Sequence, residues 1–169
     1  ADNRQLSAIA KSLGGSGLYV GNEIEIFDNG RDKFEALIAD IGNARRFINL
    51  QYYIFEDDTI GTRVADALIE RANAGVKVRV IYDHIGSIHV KNAFFRRMRD
   101  AGISIYPFFR VAFPIFGSRI NWRNHRKLTI IDGTTGYIGG MNIADRYITG
   151  GKFHRWRDLH IRIKGPAVE

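Results

Sequence analysis

Short runs of β-branched and aromatic residues alternate with helical repeats along most of this chain, and that alternation limits its fold more than any single residue does. Residues 23–27 alternate apolar and polar like a half-buried strand, and Asp28-Asn29-Gly30 turns the chain after them. Phe34, Leu37, Ile38 and Ile41 then recur at helical spacing. Residues 47–55 are mostly apolar and aromatic, as in a strand covered on both faces. Val64, Leu68, Ile69 and Ala72 line a helix that stops at Gly75, and residues 76–82 form the next strand. A basic helix over 90–101 and a strand over 103–106 continue the series. Strands and helices in steps of this size predict an α/β fold with a mixed, largely parallel sheet flanked by helices on both faces.

The last third differs. Short strands at 128–131, 135–139 and 159–163 stand close together, and Asp132-Gly133 between the first two predicts an antiparallel hairpin. At the other end, residues 4–13 carry Leu6, Ile9, Ala10 and Leu13 on one helical stripe, ending in the flexible joint Gly14-Gly15-Ser16-Gly17. The expected organisation is an N-terminal helix and joint over 1–17 and one domain over 18–169. That length suits a single core.

The charge is uneven. Residues 1–85 carry 10 Lys/Arg against 13 Asp/Glu, whereas residues 86–169 carry 15 against 5. Such a basic half concentrates an anionic partner, whether nucleic acid, an acidic membrane surface or a phosphorylated metabolite, unless it is merely a solvated face. The chain has no cysteine, which excludes disulfides and thiolate metal sites. No apolar run approaches the roughly 20 residues of a membrane-spanning helix. Phe108, Phe109, Val111, Phe113, Ile115 and Phe116 crowd between Pro107 and Ile120. This reads either as a loop folded over the core or as an apolar lid dipping into a membrane, with Arg110 and Arg119 placed for acidic headgroups.

One stretch carries chemistry. His125 and Lys127 are two apart where a strand begins, so their side chains share a face, and Arg126 between them points away. After the turn at Asp132-Gly133 the returning strand ends at Gly139-Gly140, which can bring Asn142 beside the pair. A base or nucleophile, a fixed cation and an amide donor around one point suit an anionic tetrahedral oxygen group. His89-Val90-Lys91 shares the dipeptide spacing but lacks the acid, the glycines and the asparagine, and reads as surface. His84, His154 and His160 have no supporting spacing and read as structural.

The full spacing, His-x-Lys-x4-Asp-x6-Gly-Gly-x-Asn over 125–142, resembles the HKD motif of the phospholipase D superfamily. Members often have serine where this chain has Gly140. Blocks at 52–55, 75–79, 82–87, 123–127 and 156–160 are similar to the N-terminal half of bacterial cardiolipin synthases. The resemblance implies a phospholipase D fold, one half, with 18–169 as a catalytic domain bearing one motif. It further implies a metal-independent, cofactor-free exchange of a phosphodiester through a covalent phosphohistidine, with a second histidine from another motif copy protonating the leaving alcohol. On that basis His125 is nucleophile or general acid, Lys127 and Asn142 hold non-bridging oxygens, and Asp158 orients the imidazole. Arg123, Gly140, Arg119 and Phe113 are the expected substrate contacts, and Asp132 is expected to be structural.

The implied partners are an anionic, phosphatidylglycerol-like glycerophospholipid, a membrane surface at the cytoplasmic face of the cell, and a second HKD half from a longer chain or a homodimer. The abrupt ends of the chain favour a fragment. Two other readings stay open on the residues: a homodimeric endonuclease of the same superfamily, and a non-catalytic basic module that docks on membrane or nucleic acid.

Overall fold

Residues 4–14, 19–110, 123–151 and 156–168 are described by the computed structural model. In chain order they form α1 (Arg4–Gly14), β1 (Glu23–Phe27), α2 (Gly30–Gly42), β2 (Phe47–Tyr52), α3 (Thr59–Asn73), β3 (Lys77–Asp83), α4 (Asn92–Asp100), β4 (Ser104–Phe108), β5 (Lys127–Ile131), β6 (Thr135–Gly139), α5 (Arg146–Thr149) and β7 (His160–Lys164). The seven strands make one sheet in the order β1-β7-β6-β5-β2-β3-β4. The expected joint after α1 falls on residues 15–17, outside the described set, as does most of the aromatic stretch after Pro107. Pro107 and Phe108 themselves belong to β4, an edge strand, where a residue without an N–H is tolerated.

Local chemistry sets the helix boundaries. The Asn29 side chain caps α2 by accepting from the Asp32 N–H (3.0 Å), and Asp58 caps α3 through the Gly61 N–H (2.9 Å). Gly75, just after α3, takes φ +89°, the left-handed conformation in which glycine carries no Cβ penalty.

The α/β class and the mixed sheet are as expected, but the balance of strand directions is not. Only the β2–β3 and β3–β4 pairings are parallel; the other four are antiparallel. Parallel neighbours need a crossover, and α3 and α4 supply one each. β5 and β6 are joined by a tight turn, and the longer segment from β6 to β7 leaves and re-enters the sheet at the same edge, so these three strands run as an antiparallel meander.

Helix placement also departs from expectation. Lys33 of α2 reaches the Tyr52 hydroxyl, Tyr137 of β6 donates to Asp40 of α2 (2.5 Å), and Phe95 of α4 stacks on Tyr82 of β3 at 3.9 Å. α3 packs between α2 and α4, so these helices all cover one face. The core lies there, with Phe34, Leu37, Ile48, Val64, Leu68, Val80 and Met98 fully or almost fully buried. The register places Ile26, Ile161, Ile138, Leu128, Gln51, Ile81 and Tyr106 in one row on the opposite face. Ile26 is 67% exposed, Ile138 49% and Tyr106 64%, so among the described residues no helix covers that row. Strand β2 accordingly alternates buried and half-buried residues instead of being covered on both faces.

The β5–β6 turn is fixed from outside. Asp132 and Gly133 both adopt positive φ (+56° and +74°), as a type I′ turn requires. The Asp132 carboxylate accepts from the N–H groups of Arg45 (2.8 Å), Arg46 (2.8 Å) and Phe47 (2.9 Å). Burial pushes the Asp132 carboxyl upward, but these three donors and the Arg46 charge outweigh it and hold its pKa below the usual range. A group so depressed stabilises the fold above its unfolded pKa, and that contribution is lost as pH falls through the folded value. Asp132→Asn is expected to lower stability by about 3 kcal/mol, since hydrogen bonds to a charged group are worth about 1.5–3 kcal/mol each and are not additive. Urea titration at pH 7 measures it, and the gap between variant and wild type should narrow in acid.

Candidate active site

The topology gathers one end of every strand at a single edge of the sheet. The carboxyl ends of β2, β3 and β4 meet the amino ends of β5 and β7 and the end of β6 there. Carboxyl ends of parallel strands are the usual ligand side of an open α/β sheet. His125 stands two residues before β5 and is exposed. Its ring lies 4.8 Å from that of Tyr53, the residue after β2.

Lys127 opens β5. Its ammonium donates to the His125 carbonyl (2.7 Å) and lies 5.4 Å from the centre of the Tyr53 ring. The residue is 3% exposed, and burial drives its pKa down to about 8 despite the opposing pull of Asp158. The His125 pKa is also lowered, by partial burial first and by the Lys127 charge second, with Asp158 acting against both. The outcome is a neutral imidazole beside an ammonium held in place by backbone.

Asn142 is buried and joins the segment that follows β2. Its Oδ1 accepts from the Ile54 N–H (3.0 Å), and its Nδ2 donates to the Tyr147 hydroxyl (2.7 Å), which fixes the amide orientation. The segment behind it is anchored by paired backbone bonds between 54–56 and Ile143. Asp145 also accepts from the Thr59 and Ile60 N–H groups at the start of α3.

Asp158 stands just before β7, within electrostatic reach of both His125 and Lys127. Among the described residues its carboxylate accepts from the Leu159 N–H (2.8 Å) and not from the imidazole. It rests against Gly140, where a Cβ would sit 1.8 Å from the Asp158 Oδ1. A serine at 140 could not share the space the carboxylate now fills. Arg123 is tied to buried Asp83 (3.5 Å), and with Phe108, Asn124, His125 and Arg126 it lines an open cleft of about 570 Å³. Arg119 and Phe113 lie outside the described residues. His89 is exposed in the loop before α4, away from any strand. Among the described residues, no three His, Asp or Glu side chains converge in a way that could hold a metal ion.

Three features behind this edge had no signal in the residue spacing. Tyr53 packs against the imidazole and under the ammonium, yet in sequence it is one aromatic among several. His160 is fully buried, and a Cβ on Gly139 would meet its Cγ at 2.8 Å, so the first glycine of the motif makes room for this ring. Burial, with the Lys33 and Lys127 charges, drives the His160 pKa down to about 2 and keeps it neutral. Lys33 is fully buried as well, 3.2 Å from the Tyr52 hydroxyl and 3.8 Å from the centre of the Phe34 ring; burial drives its pKa well below the ordinary value.

The family model described as cardiolipin synthase, PLD-like domain, matches residues 37–166. The chain belongs to this family. Among curated proteins, this PLD-like domain is 47% identical over 148 residues to the major cardiolipin synthase ClsA of Bacillus subtilis (strain 168), covering 87% of the domain and 31% of that protein. It is 48% identical over 155 residues to a cardiolipin synthase of Listeria monocytogenes (serotype 4a, strain HCC23), covering 91% and 32%. The chain therefore spans about a third of the length of these relatives. Among solved structures, NucT from Helicobacter pylori aligns with a TM-score of 0.65 at 19% identity, over 87% of this chain and 88% of that one. Phosphatidylserine synthase of Haemophilus influenzae Rd KW20 aligns with a TM-score of 0.63 at 18% identity, over 85% and 33%. At such identities these two structures speak for the fold alone.

Proposed function

We propose that this PLD-like domain is one half of a phosphatidyltransferase site that acts on an anionic glycerophospholipid through a covalent phosphohistidine on His125. The observation that carries the reading is the pairing of a lowered-pKa, exposed imidazole with the Lys127 ammonium, locked by the 2.7 Å bond at the mouth of the cleft. A neutral imidazole offers its lone pair to phosphorus. The N–P bond forms as the bond to the leaving glycerol oxygen breaks, and that oxygen takes a proton from the acid of the second half. The acceptor hydroxyl then attacks phosphorus, its proton goes back to that group, and the N–P bond breaks.

Lys127 and the remaining Asn142 N–H face the non-bridging oxygens, where a preorganised donor is worth about 10²–10³-fold in rate. Asp158 offsets the charge that develops on the imidazole and turns toward it when substrate docks, since such contacts tighten in the complex. Arg123 and the glycine at 140 shape the mouth for the headgroup, and this reading keeps Arg119 and Phe113, outside the described residues, as further headgroup contacts.

The second half docks on the uncovered sheet face. The row from Ile26 to Tyr106 and the shallow apolar hollow of about 220 Å³ around Leu128, Ile130, Ile138 and Val168 are the surface it would bury. Relatives three times as long have room for such a half. The basic surplus of residues 86–169 supports docking on an acidic membrane surface, which this reading assigns to the cytoplasmic face.

The test is turnover of anionic phospholipid vesicles against single- and double-stranded DNA, each with the domain supplied with its second half, as a second copy or as the remainder of a longer chain. Lipid headgroup exchange with DNA left intact is the expected result. Cleavage of DNA with lipid untouched would overturn the reading in favour of an endonuclease.

A further inference from the structure

A second cavity, of about 180 Å³, opens beside the His125 cleft and plays no part in the chemistry above. Its floor is the Tyr82–Phe95 stack, and its polar lining includes Ser87, Asn92, Arg99 and Arg110. It lies past the carboxyl ends of β3 and β4, on the same edge of the sheet as His125. The two hollows share a wall: Phe108 faces the His125 cleft, while Pro107 and Arg110 on either side of it face this one.

The chemistry of the lining is specific. Asn92, Phe95 and Arg99 fall on one face of α4, so the helix runs along the cavity from its first residue to its last turn. Both guanidiniums are close enough to Tyr82 for their charge to act on its hydroxyl. Among the described residues neither is in an ion pair, whereas Arg63, Arg97, Arg146 and Arg162 all have carboxylate partners. The start of α4 also has no side-chain cap, so its first N–H groups add to a positive field. Two guanidiniums match the oxygens of a phosphate, and the aromatic floor suits a small carbon skeleton.

We infer that this cavity is a subsite that seats the phosphate of a glycerol-phosphate group, separate from the phosphorus attacked at His125. The choice of a glycerol phosphate over other anions rests on the phosphatidyl-transfer reading; the anion site itself rests on the cavity. The group can arrive as a soluble ester or as the headgroup of a lipid, and the two seat the same oxygens on Arg99 and Arg110. In the second case the subsite would hold a lipid other than the one being cleaved.

The test is calorimetric titration of the 169-residue chain carrying His125→Asn and Lys127→Met, so that neither the nucleophile nor the cation of the reactive site contributes. The probes are glycerol 3-phosphate, inorganic phosphate and glycerol, with vesicles of anionic phospholipid as a parallel arm. Glycerol 3-phosphate should bind more tightly than inorganic phosphate, and glycerol should not bind. Arg99→Gln and Arg110→Gln should each weaken binding about tenfold, with unchanged melting curves because both side chains are exposed. Binding of vesicles alone, weakened by the same two substitutions, supports the subsite and identifies the lipid as its source. Binding that ignores both substitutions, equal affinity for inorganic phosphate, or no binding in either arm overturns it. Since none of these readouts needs turnover, a lack of phosphatidyl transfer would defeat the proposed function without touching the anion site, and the reverse also holds.

Discussion

With His125→Ala, the phosphatidyl adduct that a denaturing alkaline quench should trap on the wild-type chain is expected to vanish, and headgroup exchange to fall about 10⁴-fold. The size follows from the residue's place in the mechanism, since it forms the bond to phosphorus and nothing beside it can take over. Tyr53 lies against the ring but is a poor nucleophile at neutral pH, and Lys127 is tied to a carbonyl. The fold should hardly notice. His125 is exposed and its described ring contact is with Tyr53, so the loss of stability should stay within about 0.5 kcal/mol. Mass spectrometry of the quenched chain reads the adduct, and His89→Ala in the loop before α4 serves as the control that keeps it. The pH profile is a second check. Because burial and Lys127 lower the imidazole pKa, adduct formation should persist to more acid pH than an ordinary histidine permits, and be lost as pH falls through the lowered value. An adduct on any other residue, or exchange that survives His125→Ala, would sink the covalent scheme.

Much of this arrangement can be read in the residues because local rules and tertiary demands agree there. Residues 135–139 form the expected strand, and Asp132-Gly133 turns the chain with both residues at positive φ. Asp132 also shows why a motif residue need not touch phosphorus: its carboxylate is spent on three N–H groups before and at the start of β2. What could not be read is what depends on the third dimension. The apolar run at 47–55 looks the same whether one face or both are covered, and only the register shows that Gln51 and Asn49 share the bare face with Ile81 and Ile130. The hairpin after residue 127 could be read from Asp132-Gly133, but not that β5 would pair with β2 and β7 with β1, because those partners are distant in the chain. Lys33 and His160 carry no signal at all. A lysine early in an amphipathic helix is expected in water, and it becomes buried here because α2 crosses directly over Tyr52. Asp158 was identifiable as a residue type and position, but its seat depends on the missing side chain at Gly140, more than a dozen residues away.

That burial makes Lys127 the other decisive residue, and Lys127→Met the more discriminating substitution. Methionine keeps the apolar stem and roughly the length but removes the charge. Loss of a preorganised cation facing the non-bridging oxygens should reduce exchange by about 10²–10³-fold. Stability should move the opposite way, or not at all. With its pKa at about 8 in the fold, well below the ordinary lysine value, the charged side chain costs free energy on folding, and at pH 7 both folded and unfolded chains carry the proton. The variant escapes that cost, although it gives up the bond to the His125 carbonyl. The sign can be followed with pH. Between about 8 and the unfolded lysine pKa the unfolded chain binds one more proton than the folded one, so this group makes wild-type stability rise with pH there. Methionine removes that rise, and urea midpoints taken from pH 7 to 10 would reveal the difference. Activity runs against stability in the same window, because the ammonium that stabilises the transition state is lost as the pH passes about 8. A single group thus gives two opposed pH trends, one in folding and one in turnover, both absent from the variant. A parallel loss of melting temperature and turnover in Lys127→Met would mean that the lysine is a structural post, and the anion would have to be held elsewhere.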